Sequence, residues 1–235
     1  MTPPRSRSRA SAGLPPITPE QVVDAAVRLT VRDGLEGWSV RQLAAELGVG
    51  AAVVYHHVGD RQKVTTAVTE RVIAQVPVPG ADLPWREWFG TLLSDVRKVA
   101  LHYHGVARQM VLLGPVVSAA RDIIDEGVGV LKAAGFGDEA ATIYSFLVNT
   151  AFNLIAVEDD RNAQPEARLE HARMLAELAT ERDSTGLAAM GEWLRARSTD
   201  LDKLRAYDAE FYRYCVERAL DGAQARLVAI RRRRR

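Results

Sequence analysis

Between Ser39 and Val64 the chain reads SVRQLAAELGVGAAVVYHHVGDRQKV, and its cationic and aromatic side chains there are Arg41, Tyr55, His56, His57, Arg61 and Lys63. Groups of this kind suit hydrogen bonding and charge pairing to an anionic polymer. Arg41 carries the planar fork that fits the acceptor edge of guanine. Arg61 and Lys63 suit phosphate oxygens, contacts that position a protein without reading sequence. His57 reads as a packed or hydrogen-bonded imidazole. Gly50, Ala51, Ala52 and Val53 carry no long donors, so they offer close backbone approach and methyl contact with thymine. Elsewhere His102 and His104 are two apart on an expected helix, so they point to nearly opposite sides and cannot share a metal there. The chain contains no G-x-S-x-G, H-E-x-x-H, P-loop or Rossmann glycine pattern. No catalytic residue, cofactor or metal is expected, and the protein reads as a non-enzyme.

Two short helices joined by a glycine turn must position these groups. Ser39 caps the first, because its hydroxyl accepts a bond from an otherwise orphaned backbone N–H. Val40, Leu43, Ala44 and Leu47 then recur at helical spacing. Gly48 supplies the left-handed residue that ends the helix, and Val49 plugs the angle. A second helix is predicted over 51–57, and Asp60 caps a third that runs toward Val76. Upstream, Thr18 and Gln21 make a capping box with Pro19 at the first helical position. Val22, Ala25, Ala26 and Leu29 form that helix's inner stripe, and Gly34 stops it. Two helices meeting across a short glycine-containing turn form a helix-turn-helix, whose second helix enters the DNA major groove.

The same residues resemble the DNA-binding domain of the tetracycline-repressor (TetR) family of transcriptional regulators. The resemblance is carried by Leu47-Gly48-Val49, by Tyr55-His56-His57-Val58 and by Arg61 at the start of the next helix. It covers residues 17–75 densely and the remainder more loosely. It implies an all-α protein with an N-terminal three-helix helix-turn-helix domain and a larger helical ligand-binding and dimerisation domain. It also implies a ligand-responsive homodimer, released from a double-stranded, palindromic operator by a small-molecule effector. The candidate DNA-binding set is then Ser39, Arg41, Gly50, Ala51, Ala52, Val53, Tyr55, His56, Arg61 and Lys63, with Tyr55 touching phosphate or a base.

Composition closes other routes. The chain has 235 residues, a formal net charge of +1 and one cysteine, Cys215. That length holds a small domain and a larger one. Near-neutral charge neither favours nor opposes DNA binding, which needs only a local basic face. A single cysteine excludes an internal disulfide framework and suits the cytoplasm. No unbroken run of ~18 apolar residues is present, so no membrane span is expected. Residues 1–16 read as a disordered basic arm. Arg5, Arg7 and Arg9 there either reach a minor groove or remain a solvated tail. Residues 231–235 read as a polyarginine tail whose charges complement the helix dipole.

The predicted boundary is PVPGADLP, between a domain over 17–76 and one over 83–230. In the second, helices are predicted over 85–104, 106–113, 117–134, 138–159, 164–180, 186–197 and 208–230. The 138–159 segment is apolar almost all round, which predicts burial on every side. The stretch 135–159 and the last helix resemble the tetracycline-repressor branch. That resemblance implies a dimer face of Phe211, Tyr214, Cys215, Arg218, Ala219 and Gly222. The drug–magnesium site of that branch is not reproduced: Gln109 and the Val76–Pro77 region offer no imidazole, and Glu158 by itself holds hydrated Mg²⁺ poorly. A largely apolar effector other than tetracycline–Mg is expected instead. Asn149 and Asn153 supply polar handles beside Phe146 and Phe152, and Trp85, Trp88, Phe89 and Met110 supply walls. An all-helical interaction protein or a hydrolase without DNA binding is the alternative.

Overall fold

A computed structural model describes residues 16–114, 118–177 and 184–233, and every regular element among them is helical. The first four helices are α1 (Pro19–Asp33), α2 (Val40–Glu46), α3 (Ala51–His57) and α4 (Arg61–Ile73). Their starts follow from local chemistry. Thr18 and Ser39 each accept the backbone N–H three residues on, while Gln21 and Gln42 reach back to the cap N–H. Each cap contributes about 1 kcal/mol. Asp60 accepts the Lys63 N–H at 2.9 Å and starts α4. α2 stops because Gly48 takes φ 65°, a left-handed conformation open to glycine. The Gly48 and Val49 N–H groups then close on Ala45 and Ala44 carbonyls at 3.0 and 2.9 Å, and α3 departs at an angle.

Val22, Ala25, Ala26 and Leu29 of α1 meet Leu43 of α2, Val54 of α3 and Val64, Val68 and Val72 of α4 in one buried cluster. Each large apolar side chain sealed there contributes about 1.5–3 kcal/mol. Trp38 closes the cluster from the loop before α2, its indole N–H donating to Thr30 Oγ1 at 3.0 Å.

The remaining helices are α5 (Trp85–Ala100), α6 (Val106–Leu113), α7 (Arg121–Ala134), α8 (Ala140–Asn162), α9 (Pro165–Glu177), α10 (Thr185–Arg195) and α11 (Leu201–Arg233). α5, α6, α7 and α11 surround α8, and α9 pairs with α10. Trp88, Phe89, Leu92, Leu147, Ile155 and Leu227 lie in the second core. A Cβ on Gly127 would come within 3.0 Å of both the Tyr144 and Trp88 rings, so α7 packs there only as glycine. The two cores trade residues across the 77–82 linker: Ile73 and Val76 join the second, whereas Tyr103 and Val106 join the first.

Several element bounds differ from the sequence expectation. α5 ends at Ala100, not His104, because residues 101–105 form a turn that Gly105 closes at φ 89°. α7 begins after a short 3₁₀ turn at Ser118–Ala120, and α8 runs three residues past Asp159. α11 begins at Leu201 and is a continuous helix of 33 residues. Burial of α8 on every side is overturned: Phe146 and Val157 are each 48% exposed, and Asn149 and Asn153 are exposed. An apolar pattern does not distinguish a face packed in its own chain from one left for another molecule. By length and composition α8 is apolar enough to cross a bilayer, yet it is wedged among four helices and carries buried Glu158 and Asp159 near its end. That is how a core helix behaves. The arm carrying Arg5, Arg7 and Arg9, and the last two arginines of the tail, lie outside the described residues.

Candidate nucleic-acid interface

α3 rests on the first core through Val54, which is fully buried. Gly50, Ala52, Tyr55 and His56 remain exposed, and Val53 is half-buried. Ala51 packs back against the core, so it does not belong on an outward reading face. Tyr55 is 52% exposed, on the outward side of α3. Arg41 stands exposed on the first turn of α2. Ser39 is occupied with its capping bonds to Gln42. Lys63 is exposed, and its stem lies so close over Gly59 that a Cβ there would sit 2.6 Å from Lys63 Cδ. His57 is half-buried and meets His56 edge to face at 5.4 Å.

Arg61 departs from the phosphate-binding expectation. Its guanidinium donates to the Trp38 carbonyl at 3.3 Å and the Leu35 carbonyl at 3.0 Å, and it pairs with Glu36 at 3.1 Å. It also lies 5.3 Å over the Trp38 ring. Each of these partners lies more than twenty residues upstream. Arg61 thus staples the 34–38 loop to the start of α4.

The same loop is joined to the second core. Leu35 N–H donates to the His104 carbonyl at 2.8 Å. Gly105 N–H donates to Asp159 Oδ2 at 2.7 Å, and His104 Nδ1 meets Asp159 Oδ1 at 2.9 Å. Asp159 is 5% exposed, so its carboxylate is held by these bonds and not by water. Tyr103 O–H adds a bond to Gln75 at 3.0 Å, just past α4. An unbroken sequence of contacts runs from α8 through the 101–105 turn and the 34–38 loop to α4. Residue spacing gives no hint of it, because its partners lie 54 and 26 residues apart.

The candidate effector residues are divided between the second core and the surface. Trp88, Phe89, Met110 and Phe152 are buried in the second core, and half-buried Trp85 packs edge to face on Phe136 at 5.4 Å. Phe146, Asn149 and Asn153 point outward, where Asn153 Nδ2 donates to the Asn149 carbonyl at 2.8 Å. Both asparagines lie on the surface, which overturns their placement in a greasy cavity. Glu158 is buried and takes two bonds from Arg97, at 3.0 and 2.5 Å. Burial pushes its carboxyl up, opposed by the Arg97 guanidinium. His102 lies against Tyr103 and His104 is committed to Asp159. No group of three or more His, Cys, Asp or Glu suited to a metal occurs among the described residues.

Of the expected dimer face, Phe211 (40%) and Tyr214 (58%) are exposed. Arg218 and Gly222 are exposed too, and Cys215 is half-buried. Ala219 turns the other way, into the chain's own core.

Residues 22–68 match the family model for bacterial regulatory proteins of the tetR family. This span contains α2, α3 and the glycine turn between them. The chain carries a DNA-binding domain of the tetR type. It is a DNA-binding transcriptional regulator. It is 28% identical over 206 residues to an HTH-type transcriptional regulator of Saccharopolyspora erythraea, covering 86% of this chain and 78% of that one. It is 30% identical over 130 residues to the HTH-type transcriptional repressor DrrR1 of Streptomyces coeruleorubidus, covering 53% of this chain and 47% of the other. The fold superposes with TM-score 0.72 on the Streptomyces coelicolor TetR family protein ActR in complex with actinorhodin, at 23% identity, over 89% of this chain and 98% of that one.

Proposed function

We propose that this regulator is a homodimeric repressor of the TetR family that leaves its operator when a small molecule binds the helical domain. One observation carries the reading. α3 offers Gly50, Ala52, Tyr55 and His56 to the outside, while its loop partner Leu35 is tied through His104 and Asp159 to α8. Arg41 reads a base edge and Lys63 meets phosphate; Arg61 holds the domain's shape. The repressor named among its relatives and the ligand-bound ActR neighbour support repression and a small effector. Two half-sites lie about 34–36 Å apart, so the protein must be two-fold. Phe146, Val157, Phe211 and Tyr214, the outward apolar residues of α8 and α11, supply the surface for that pairing.

Effector binding acts by preferring one of two arrangements of α4 relative to α8. It shifts the equilibrium only by its differential affinity for them, and coupling of about 1–3 kcal/mol releases DNA roughly 5–150-fold. The test is fluorescence anisotropy of the purified full chain on duplexes from its own upstream region, over a salt series. A near-palindromic duplex is expected to bind with an affinity that falls steeply with salt, because phosphate neutralisation releases counterions. Salt-insensitive binding, or none to any duplex after selection, overturns the reading.

A further inference from the structure

The end of α8 and helices α9, α10 and α11 border an open cavity of about 620 Å³, with Val157 of the proposed dimer surface at its edge, and none of the effector residues expected from the sequence lines it. Its size falls in the range of small-molecule sites, roughly 300–1,000 Å³. Leu175, Met190, Leu194 and Leu204 line its floor and sides. Met190 is 55% exposed and Leu175 36%, so apolar surface here is left uncovered by the described residues. Trp193 and Tyr207 form a corner, with ring centres 5.0 Å apart and planes at 89°. Such a corner presents flat aromatic surface to an occupant from two directions.

The charges around this cavity are unbalanced. Arg168 is spent on Asp208 at 2.5 Å, and Asp160 on Arg108 at 2.8 Å. That leaves Arg161 and Arg197 without a carboxylate partner among the described residues. Arg197 lies 5.1 Å over the Trp193 ring and donates to the Trp193 carbonyl at 3.1 Å, so its guanidinium is held beside the aromatic corner. His171 adds a third basic group. A guanidinium pairs with a planar carboxylate through two parallel bonds.

We infer that this cavity is a binding site for a planar aromatic carboxylate. The aromatic body stacks in the Trp193–Tyr207 corner over the leucine and methionine floor, and the carboxylate meets Arg161 and Arg197 at the rim. The site also reaches the regulatory path. Asp160 and Arg161 directly follow Asp159, whose carboxylate holds the 101–105 turn. Drawing Arg161 toward an anion therefore acts on the same turn of α8. This assignment names the effector class and rests on the reading of the protein as ligand-responsive.

The test is isothermal titration of the full chain with 2-naphthoate and with its neutral counterpart 2-naphthylmethanol, with operator anisotropy measured on the same samples. 2-Naphthoate is expected to bind once per chain, and the neutral compound about tenfold or more weaker, as loss of a charge-assisted pair requires. Arg161→Gln with Arg197→Gln is expected to remove that preference and leave ligand-free operator binding unchanged. Met190→Glu, which adds a negative charge at the exposed rim, is expected to weaken 2-naphthoate and spare the alcohol. Equal binding of the two compounds, or undiminished 2-naphthoate binding by both variants, overturns the site. Operator binding without any 2-naphthoate binding overturns the site and leaves the regulator intact. Failure to bind any duplex overturns the regulator reading, while the titration still decides the site.

Discussion

Arg41 and Arg61 carry the same guanidinium on α2 and α4, and their surroundings give them different work. Arg41 is exposed on the first turn of α2. Arg61 holds two carbonyls of the 34–38 loop and covers Trp38. Arg61→Ala is expected to destabilise the protein by about 1–2 kcal/mol, chiefly through the lost bonds to main-chain carbonyls. The Glu36 ion pair adds little, since Glu36 is 74% exposed. Arg41→Ala is expected to leave stability unchanged and to lose about 1–3 kcal/mol of discrimination between operator and scrambled duplex. Urea unfolding and anisotropy on both variants separate the two; an Arg61→Ala protein as stable as the parent defeats the assignment. The sequence shows that both positions are basic. It does not show which arginine has carbonyls within reach, because those carbonyls belong to residues far upstream.

At the level of elements, legibility followed range. Caps at Thr18, Ser39 and Asp60 use partners within three residues, so the starts of α1, α2 and α4 were readable to the residue. The end of α5 at Ala100 was not, because it is set by contacts of the 101–105 turn with Leu35 and Asp159. Nor was the side of α8 that stays open, since Phe146 and Phe152 look alike in sequence and differ only in what packs on them. One distant contact yields a pH dependence. Arg226 of α11 donates two bonds to Glu139, beside the start of α8. These hold the Glu139 carboxyl below its usual range. A carboxyl depressed on folding contributes stability above its unfolded pKa and loses it as pH falls through the folded one. Arg226→Gln is therefore expected to melt below the parent at neutral pH, and the two melting curves to converge in acid below about pH 4. A gap that stays constant across that range excludes the pair as its cause.

For the whole molecule, the central question is what covers α8 and α11. Phe146 and Val157 on one helix, with Phe211 and Tyr214 on the other, leave an apolar surface open, and a second copy is the partner proposed. Phe146→Glu with Tyr214→Glu is expected to shift sedimentation from dimer to monomer. Operator affinity should then fall toward the nonspecific level, about 10³-fold or more. A dimer that survives both substitutions places the interface elsewhere. The candidate effector site was the least legible part at this scale. The sequence drew attention to polar residues on an apolar helix, whereas the cavity arises where four consecutive helices fold against one another, with its lining spread from Val157 to Tyr207.

The bond from Leu35 N–H to the His104 carbonyl joins main chain to main chain. Any residue but proline at position 35, and any residue at 104, can supply those atoms. That one bond between the DNA-reading half and the helices behind it is therefore blind to side-chain identity. The bonds around it, from the Asp159 carboxylate, the His104 imidazole, the Tyr103 hydroxyl and the Arg61 guanidinium, and the left-handed backbone of Gly105 depend on particular residues. A regulator wired in this way can acquire a new recognition surface on α3, or a new lining around Trp193, without rebuilding the joint between them. The architecture separates what is recognised from how recognition is relayed, and leaves each free to change alone.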